Sequence, residues 1–563
     1  MPQSEALHRR NAADFSFFAF RNIIHRIDGW RVAATAVAGL VAVPLFVIIS
    51  SLLSPTRGIW DHLVANVLPG ILTNTAWLVL GVSLGTLLLG VSLGWLTGAC
   101  DFPGRKTFSW ALLLPLAMPA YVLAFIYLGL FDFSGPVQKA FRTYFPQSGF
   151  SLPDIRSTAG VITVMVLALY PYVYMFARSA FMTQGKSSLE AARTLGLTPT
   201  GAFFRVCLPM ARPWIAGGLM LVIMETLADF GAVSIFNFDT FTTAIYKAWF
   251  GFFSITAAAQ LSSVLVFIVF SVILLEQLSR RRMRYTQGGG LGLETSRIKL
   301  VGRYSWGAFL FSLSVLLAAF VLPCIQLLLW TVEVFHLEFG NRYFGLVGKT
   351  LFLASIAALV ICFVALVLAY AKRRHKDKYT FGLTRVATLG YALPGTILAV
   401  GIFIPVAKLD KVIVHWMNAL FGYEASTILQ GTLIIVFTAY LVRFMITGFN
   451  PIDSATQRIT PNIDEASRLM GVKGFSLLRR IHIPMLRNGL LTALILVFVE
   501  VMKEMPITLM TRPFGWDTLA VKIFELTSEG EWERSALPAL ALVFTGLVPV
   551  ILLMRESEKN SSR

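Results

Sequence analysis

Apolar residues run along this chain in stretches of about twenty or more, separated by short polar segments. Stretches long enough to cross a bilayer as helices lie near 32–54, 74–99, 108–131, 158–181, 213–236 and 256–277, and again near 303–332, 349–371, 384–406, 428–448, 488–511 and 535–554. The pattern predicts an all-α polytopic membrane protein of about twelve spans. Two of the polar interruptions share a motif. Residues 187–209, SSLEAARTLGLTPTGAFFRVCLP, and residues 462–484, NIDEASRLMGVKGFSLLRRIHIP, lie 275 positions apart. Both read Glu-Ala-(Ala/Ser), three residues, Gly, nine residues, an aliphatic residue, any residue and (Leu/Ile)-Pro. The positions are Glu190, Ala191, Ala192, Gly196, Val206, Leu208 and Pro209 in the first copy. In the second they are Glu465, Ala466, Ser467, Gly471, Ile481, Ile483 and Pro484.

Each copy has the local signals of a helical hairpin. Ser187 and Asn462 precede Glu190 and Glu465 by the spacing of a capping box, and each Glu suits the positive end of a helix dipole. Gly196 and Gly471 fall where a left-handed residue would end the helix. A second, amphipathic helix follows, with Phe203, Phe204 and Val206 in one copy and Phe475, Leu477, Leu478 and Ile481 in the other. The small residues of the first helix would let another protein approach its backbone closely.

The same offset extends far beyond the hairpins. Thr75 pairs with Thr350, Pro119 with Pro394, Arg193 with Arg468, Glu225 with Glu500 and Asp229 with Glu504. Past the fifth span the register slips by three, so that Asp239-Thr240 matches Asp517-Thr518. An internal duplication of six spans predicts two halves of the same orientation, related by an axis along the membrane normal. The expected division is a tail at 1–31, a first half at 32–277, a linker at 278–303, a second half at 304–554 and a tail at 555–563. The linker is basic (Arg280, Arg281, Arg282, Arg284) and flexible at Gly288-Gly289-Gly290. Segments 237–255 and 513–534 carry aromatic residues suited to the outer interface. The N-terminal tail, with Phe15, Phe17, Phe18 and Phe20 among arginines, reads equally as an interfacial segment or as a simple tail.

Composition agrees with this picture: of 563 residues, 56% are hydrophobic and 14% charged. The net charge of +18 would suit nucleic acid, but its distribution excludes that reading. With a cytoplasmic N-terminus, 35 Lys and Arg fall inside or at inner span ends, 11 fall outside, and Lys349 and Lys503 lie within spans. The positive-inside rule therefore places both termini in the cytoplasm. Residues 1–31 have no cleavable-signal pattern. Cys100, Cys207, Cys324 and Cys362 lack paired spacing, and the seven histidines lack ligand spacing. No fixed metal site is expected.

The chain carries no nucleotide-binding signature. Gly348-Lys349-Thr350 resembles the end of a P-loop, but Tyr343 stands where that motif needs glycine. The unusual chemistry is acidic. Glu225 and Asp229 in the fifth span, and Glu500 and Glu504 in the eleventh, are spaced to share one helical face, with Lys503 beside the second pair. Ionisable groups at such depth line a polar path or pair with one another. Both readings stand at this point: a cation pathway, or interhelical pairing. Pro119 and Pro394, in the third span of each half, would open those helices, as gate hinges or as packing relief.

The doubled hairpin resembles the EAA loop of ABC-transporter permeases, the coupling helix that docks on an ATP-binding subunit. The whole chain is similar to fused permeases of type I importers, with two parallel six-helix repeats. It most resembles the ferric-iron permeases, through MPAYVLAFIYLGLFDFSGPVQ (118–138) and METLADFGAVSIFNFDTFTTAIYKAWF (224–250). The resemblance implies two copies of a cytoplasmic ATPase, which would hold ATP and Mg, and a periplasmic binding protein that selects the cargo. It places the chain in a bacterial inner membrane, with no cofactor or catalytic residue of its own. Glu190, Ala191, Ala192, Gly196, Glu465, Ala466, Ser467 and Gly471 would meet the ATPases. Related permeases carry thiamine, polyamines or phosphonates. A reading from another class is a secondary transporter using the four acids as proton carriers.

Overall fold

The computed structural model describes residues 28–53, 59–145, 153–183, 192, 194, 196–281, 297–375, 377–422, 427–472 and 474–561, and these are almost wholly helical. Among them, nine helices are long and apolar enough to cross a membrane, or ten if the bent pair Leu478–Met485 and Arg487–Lys503 is one span. The remaining two apolar runs are also helical, at Gly395–Phe421 and Trp532–Ser561. The first of these carries Lys408, Asp410 and Lys411. Asp410 spends its carboxylate on the backbone N–H groups of Ile428, Leu429 and Gln430.

The described residues pack as two compact units, neither of which coincides with a sequence half. The larger contains 47–355, 392–439 and 498–563. Its centre is the Leu68–Ala99 helix laid against Thr158–Thr183. A Cβ at Gly90 would meet Val173 at 2.7 Å, and one at Gly94 would meet Ala177 at 2.9 Å. Small residues therefore let these backbones touch, while Leu80, Leu84 and Leu88 of the same helix point outward, exposed. Such a helix, small inside and leucine-rich outside, suits packing in lipid. Elements from both sequence halves interlock within this unit. Tyr127 donates its hydroxyl to the Ala318 carbonyl at 2.7 Å, Phe230 packs on Phe524 and Trp249 on Phe403.

The smaller unit gathers the described residues of Met1–Phe46, Ile356–Tyr391 and Tyr440–Val497. Its apolar core includes Ile361, Ala365, Met445, Ile452 and Val497. Ion pairs edge one side, Arg31 with Asp377 at 3.4 Å and Lys372 with Asp453 at 2.8 Å, and His375 Nε2 is hydrogen-bonded to Asp28 Oδ2 at 3.0 Å.

The third-span prolines act as helix starts. Pro119 caps Ala120–Phe131 with φ −57° and ψ 144°, and Pro394 caps Gly395–Phe421 with φ −51° and ψ 144°. A short 3₁₀ turn precedes each, at Leu114–Ala117 and Leu389–Ala392. Each expected third span is thus a broken helix, since proline supplies no N–H and pushes its predecessor to extended geometry.

Candidate coupling loops and intramembrane acids

The two hairpins share an unusual backbone. Gly196 has φ +78° and Gly471 φ +81°. In each copy the next residue bonds back five positions, Leu197 N–H to the Ala192 carbonyl at 3.0 Å and Val472 N–H to the Ser467 carbonyl at 2.9 Å. That is the six-to-one bond of a Schellman helix end. A π-helical turn then follows at matched positions, Phe203–Cys207 and Leu478–His482. Glu190, Ala191 and Ser187 lie outside the described residues. In the second copy the helix starts at Pro461, so Asn462 sits inside the first turn and not at the expected cap.

Ala192 and Ser467 turn inward and are buried. The outward face of the second loop carries Glu465 and Ala466, with Leu469 90% and Met470 83% exposed. Two large apolar side chains so fully open beside a polar helix form a surface that water does not favour. The motif positions alone did not single them out.

Beneath this common backbone the supports differ. In the larger unit, Trp95 packs on Phe203 (centroids 4.8 Å apart) and on Phe181 (5.2 Å). In the smaller unit, Arg373 ends the Asn341–Arg374 helix and reaches three acceptors. Its Nη1 donates to the carbonyls of Thr456 at 3.0 Å and Ile459 at 2.9 Å, and its Nη2 to Asp464 Oδ2 at 2.8 Å. His482 Nε2 donates to Asp464 Oδ1 at 2.8 Å. Burial works against the Asp464 carboxylate, but the hydrogen bonds from Arg373 and His482 outweigh it and hold the carboxyl below its ordinary range. Only His482 of this trio was noted in the sequence, as a histidine without ligand spacing.

The intramembrane acids divide into two kinds. The Leu208–Ala228 helix stops before Asp229, whose ψ of 130° is extended, and the Arg487–Lys503 helix stops before Glu504. The members of each pair therefore do not share a continuous helical face, contrary to the expectation from spacing. Asp229 instead accepts from Ala232 N–H at 2.9 Å, and Glu504 accepts from Ile507 N–H at 3.1 Å and Thr508 N–H at 3.2 Å. Both carboxylates satisfy the start of the next short helix, Gly231–Ile235 or Pro506–Thr511. Glu225 and Glu500 remain on the helices before the breaks. The charges of both act on Tyr172 and on Lys503, which draws these four residues into one cluster. Lys503 donates to the Leu116 carbonyl at 3.2 Å, in the turn before Pro119. Tyr172 escaped the sequence reading because tyrosine in a span is unremarkable. Among the described residues, no three His, Cys, Asp or Glu side chains converge on a metal-sized site.

Comparison with known proteins follows the same duplication. The family described as binding-protein-dependent transport system inner membrane component matches twice, over residues 90–285 and 361–556. The chain is 26% identical over 497 residues to the Fe(3+)-transport system permease protein FbpB 2 of Haemophilus influenzae, spanning 87% of this chain and 90% of that one. It is 24% identical over 421 residues to the ferric transport system permease protein FbpB of Actinobacillus pleuropneumoniae, 69% of this chain and 57% of that one. A putative 2-aminoethylphosphonate transport system permease protein, PhnV of Salmonella typhimurium, is 29% identical over 212 residues, 38% of this chain and 71% of that one.

Proposed function

Because the chain belongs to the family of binding-protein-dependent transport system inner membrane components, we propose that it is the whole membrane pore of an ATP-driven importer whose cargo is ferric iron. The observation that carries the reading is the doubled loop, with a left-handed glycine at the matched position, Gly196 or Gly471, and a π-turn in each copy. A cytoplasmic ATPase docks on each loop, one at Glu190–Gly196 and one at Glu465–Gly471, where Leu469 and Met470 supply apolar contact. ATP and its Mg belong to those subunits, and this chain holds no cofactor. A periplasmic binding protein delivers the cargo to the outer face, and both termini lie in the cytoplasm of a bacterial cell.

Ferric ion is a hard cation that favours oxygen donors. Glu225 and Glu500 supply carboxylates to the path, and Tyr172 a phenolic oxygen. A permeating ion must also leave, so the attraction is weak and transient. Lys503 tempers the field beside them. Asp229 and Glu504 contribute less, because their oxygens are engaged by backbone N–H groups. Pro119 and Pro394 serve as hinges, since each already separates a turn from a helix. The acidic character of the path favours a cation over a phosphonate.

The test is reconstitution with the ATPase and the binding protein. Iron uptake that requires ATP, by a complex of one chain to two ATPases, is the expected result. A ratio of one to one would end the two-dock reading. Uptake driven by a proton gradient without ATP would favour a secondary transporter.

A further inference from the structure

We infer that Arg373, Asp464 and His482 are positioning residues that latch the second coupling helix to the inner ends of its membrane helices, a trio whose counterparts in the first half, Gly98, Leu189 and Cys207, cannot form the same bonds. The inference rests on the coupling role proposed above for the loops.

The geometry joins three pieces of chain through one guanidinium. Thr456 lies in the last turn of the Leu433–Gln457 helix, and its carbonyl, which also accepts from Ile459 N–H at 3.2 Å, and that of Ile459 just beyond are acceptors at a helix end. Asp464 lies in the first turn of Pro461–Leu469, the end that favours negative charge. Arg373 spans the two from the end of a third helix. Asp464 then passes the connection to His482, on the π-turn of the loop's second helix. His482 is only 2% exposed, and its Nδ1 has no hydrogen-bond partner among the described residues. Burying that nitrogen unpaired costs free energy, and the bond from Nε2 to Asp464 is the compensation the structure offers.

The duplication supplies an internal control. At the register of 275 residues, Arg373, Asp464 and His482 correspond to Gly98, Leu189 and Cys207. A Cβ at Gly98 would already lie 3.3 Å from the Arg178 carbonyl and from Phe181 Cβ, so a side chain there would need its neighbours to give way. The aromatic residues Trp95, Phe181 and Phe203 of the first half correspond to Tyr370, Thr456 and Leu478. The ring at Trp95 persists in the second half, where Tyr370 packs on His482 with centroids 5.7 Å apart, while Phe181 and Phe203 give way to Thr456, whose carbonyl joins the polar network, and to Leu478. Charge-assisted hydrogen bonds fix direction and distance, whereas an apolar contact tolerates sliding. The second loop is held in register with three helix ends, and the first rests on a cushion.

Two measurements test this. Amide exchange on the isolated full chain reports the latch directly. Asp464→Asn should raise exchange in Pro461–Leu469 at least about tenfold, the change expected when one partner of a largely buried pair is lost, and leave Gly196–Thr198 unchanged. In proteoliposomes with the ATPase and binding protein, the ATP hydrolysed per iron delivered should rise by a similar factor in Asp464→Asn and in Arg373→Lys, which cannot bridge the acceptors. Asp464→Glu should recover most of the coupling. Unchanged exchange in Asp464→Asn would overturn the latch. So would transport and hydrolysis falling in step, since a merely structural role predicts that. Full coupling in the apolar pair Arg373→Met with Asp464→Leu would show that polar identity is dispensable, and would overturn it too. Wild-type vesicles without ATP-driven uptake would instead defeat the importer reading, while the exchange result on the isolated chain would still stand.

Discussion

The described parts of the two loops share a left-handed glycine and a π-turn, with different side chains packed beneath them. Both end their first helix at a glycine near φ +80° and both insert a π-turn at the same place. Below, one leans on Trp95 and Phe203 and the other on Arg373 and Asp464. They also leave the membrane differently. The first runs as an unbroken helix from Phe203 to Ala228, while the second bends by 68° between Leu478–Met485 and Arg487–Lys503. After a duplication, the shape offered to a partner is harder to alter than the means of holding it. A docking surface is read by another protein, but its support only has to be stable.

The largest expected effect comes from removing what the loops share. No described heavy atom lies within 4 Å of a Cβ at Gly196 or Gly471, so a side chain there meets open space and the cost is backbone strain alone. A β-branched residue forced into the left-handed region costs about 1–2 kcal/mol. Gly196→Val and Gly471→Val should each lower ATP-driven transport about tenfold or more, the equivalent of roughly 1.4 kcal/mol, with the chain still in the membrane. Asparagine tolerates that region, so Gly471→Asn should transport nearly normally. Normal transport by both valine variants would mean the shared turn is not what the ATPase reads.

A smaller effect separates the acids. Glu225→Gln with Glu500→Gln keeps shape and removes charge, and iron uptake should fall steeply while ATPase binding persists. Asp229→Ala should cost stability more than uptake, because the Asp229 carboxylate accepts from Ala232 N–H. Loss of a helix-capping carboxylate is typically worth about 1 kcal/mol, readable as a lower midpoint of thermal unfolding. Equal loss of uptake in both would return Asp229 to the path.

Much of this was legible in the sequence for physical reasons. Apolar run length reports spans, and a glycine after a short polar helix reports a left-handed turn, because both are local, whereas the cap expected at Asn462 falls inside the first turn. The helix breaks before Asp229 and Glu504 were not legible. Four-residue spacing reads as one face unless something ends the helix, and Phe230-Gly231 gives only a weak signal of that. The supports under the loops were hidden in a different way. Arg373 and Asp464 are 91 positions apart, and long-range pairs leave no periodic trace. One signal was present: at Gly98, Leu189 and Cys207 the duplication's register sets small or apolar residues against Arg, Asp and His. Breaks in an internal symmetry mark where the halves diverge in chemistry.

The smallest effect, and the one that isolates the latch from the backbone, is its pH dependence. The ordinary carboxyl value for Asp464 is 3.8. Burial would raise it, and the hydrogen bonds from Arg373 and His482, with their charges, lower it overall. A depressed folded value means the group stabilises the native loop at pH above its unfolded value, and that the contribution fades as pH falls through the lower, folded one. The latch should therefore be complete from neutrality down to about pH 5 and weaken only below about pH 4. Arg373 and His482 contact it, and the pair Lys372 and Asp453 lies nearby. The rings packed against the described part of the first loop, Trp95, Phe181 and Phe203, do not titrate. Amide exchange in Pro461–Leu469, corrected for the intrinsic rate, should stay flat from pH 7 to 5 and rise toward pH 3, while Gly196–Thr198 shows no matching transition. A rise between pH 7 and 5 would mean that Asp464 is not the group whose protonation loosens the loop. A flat profile down to pH 3 would mean that the carboxylate's shape, and not its charge, holds the second loop.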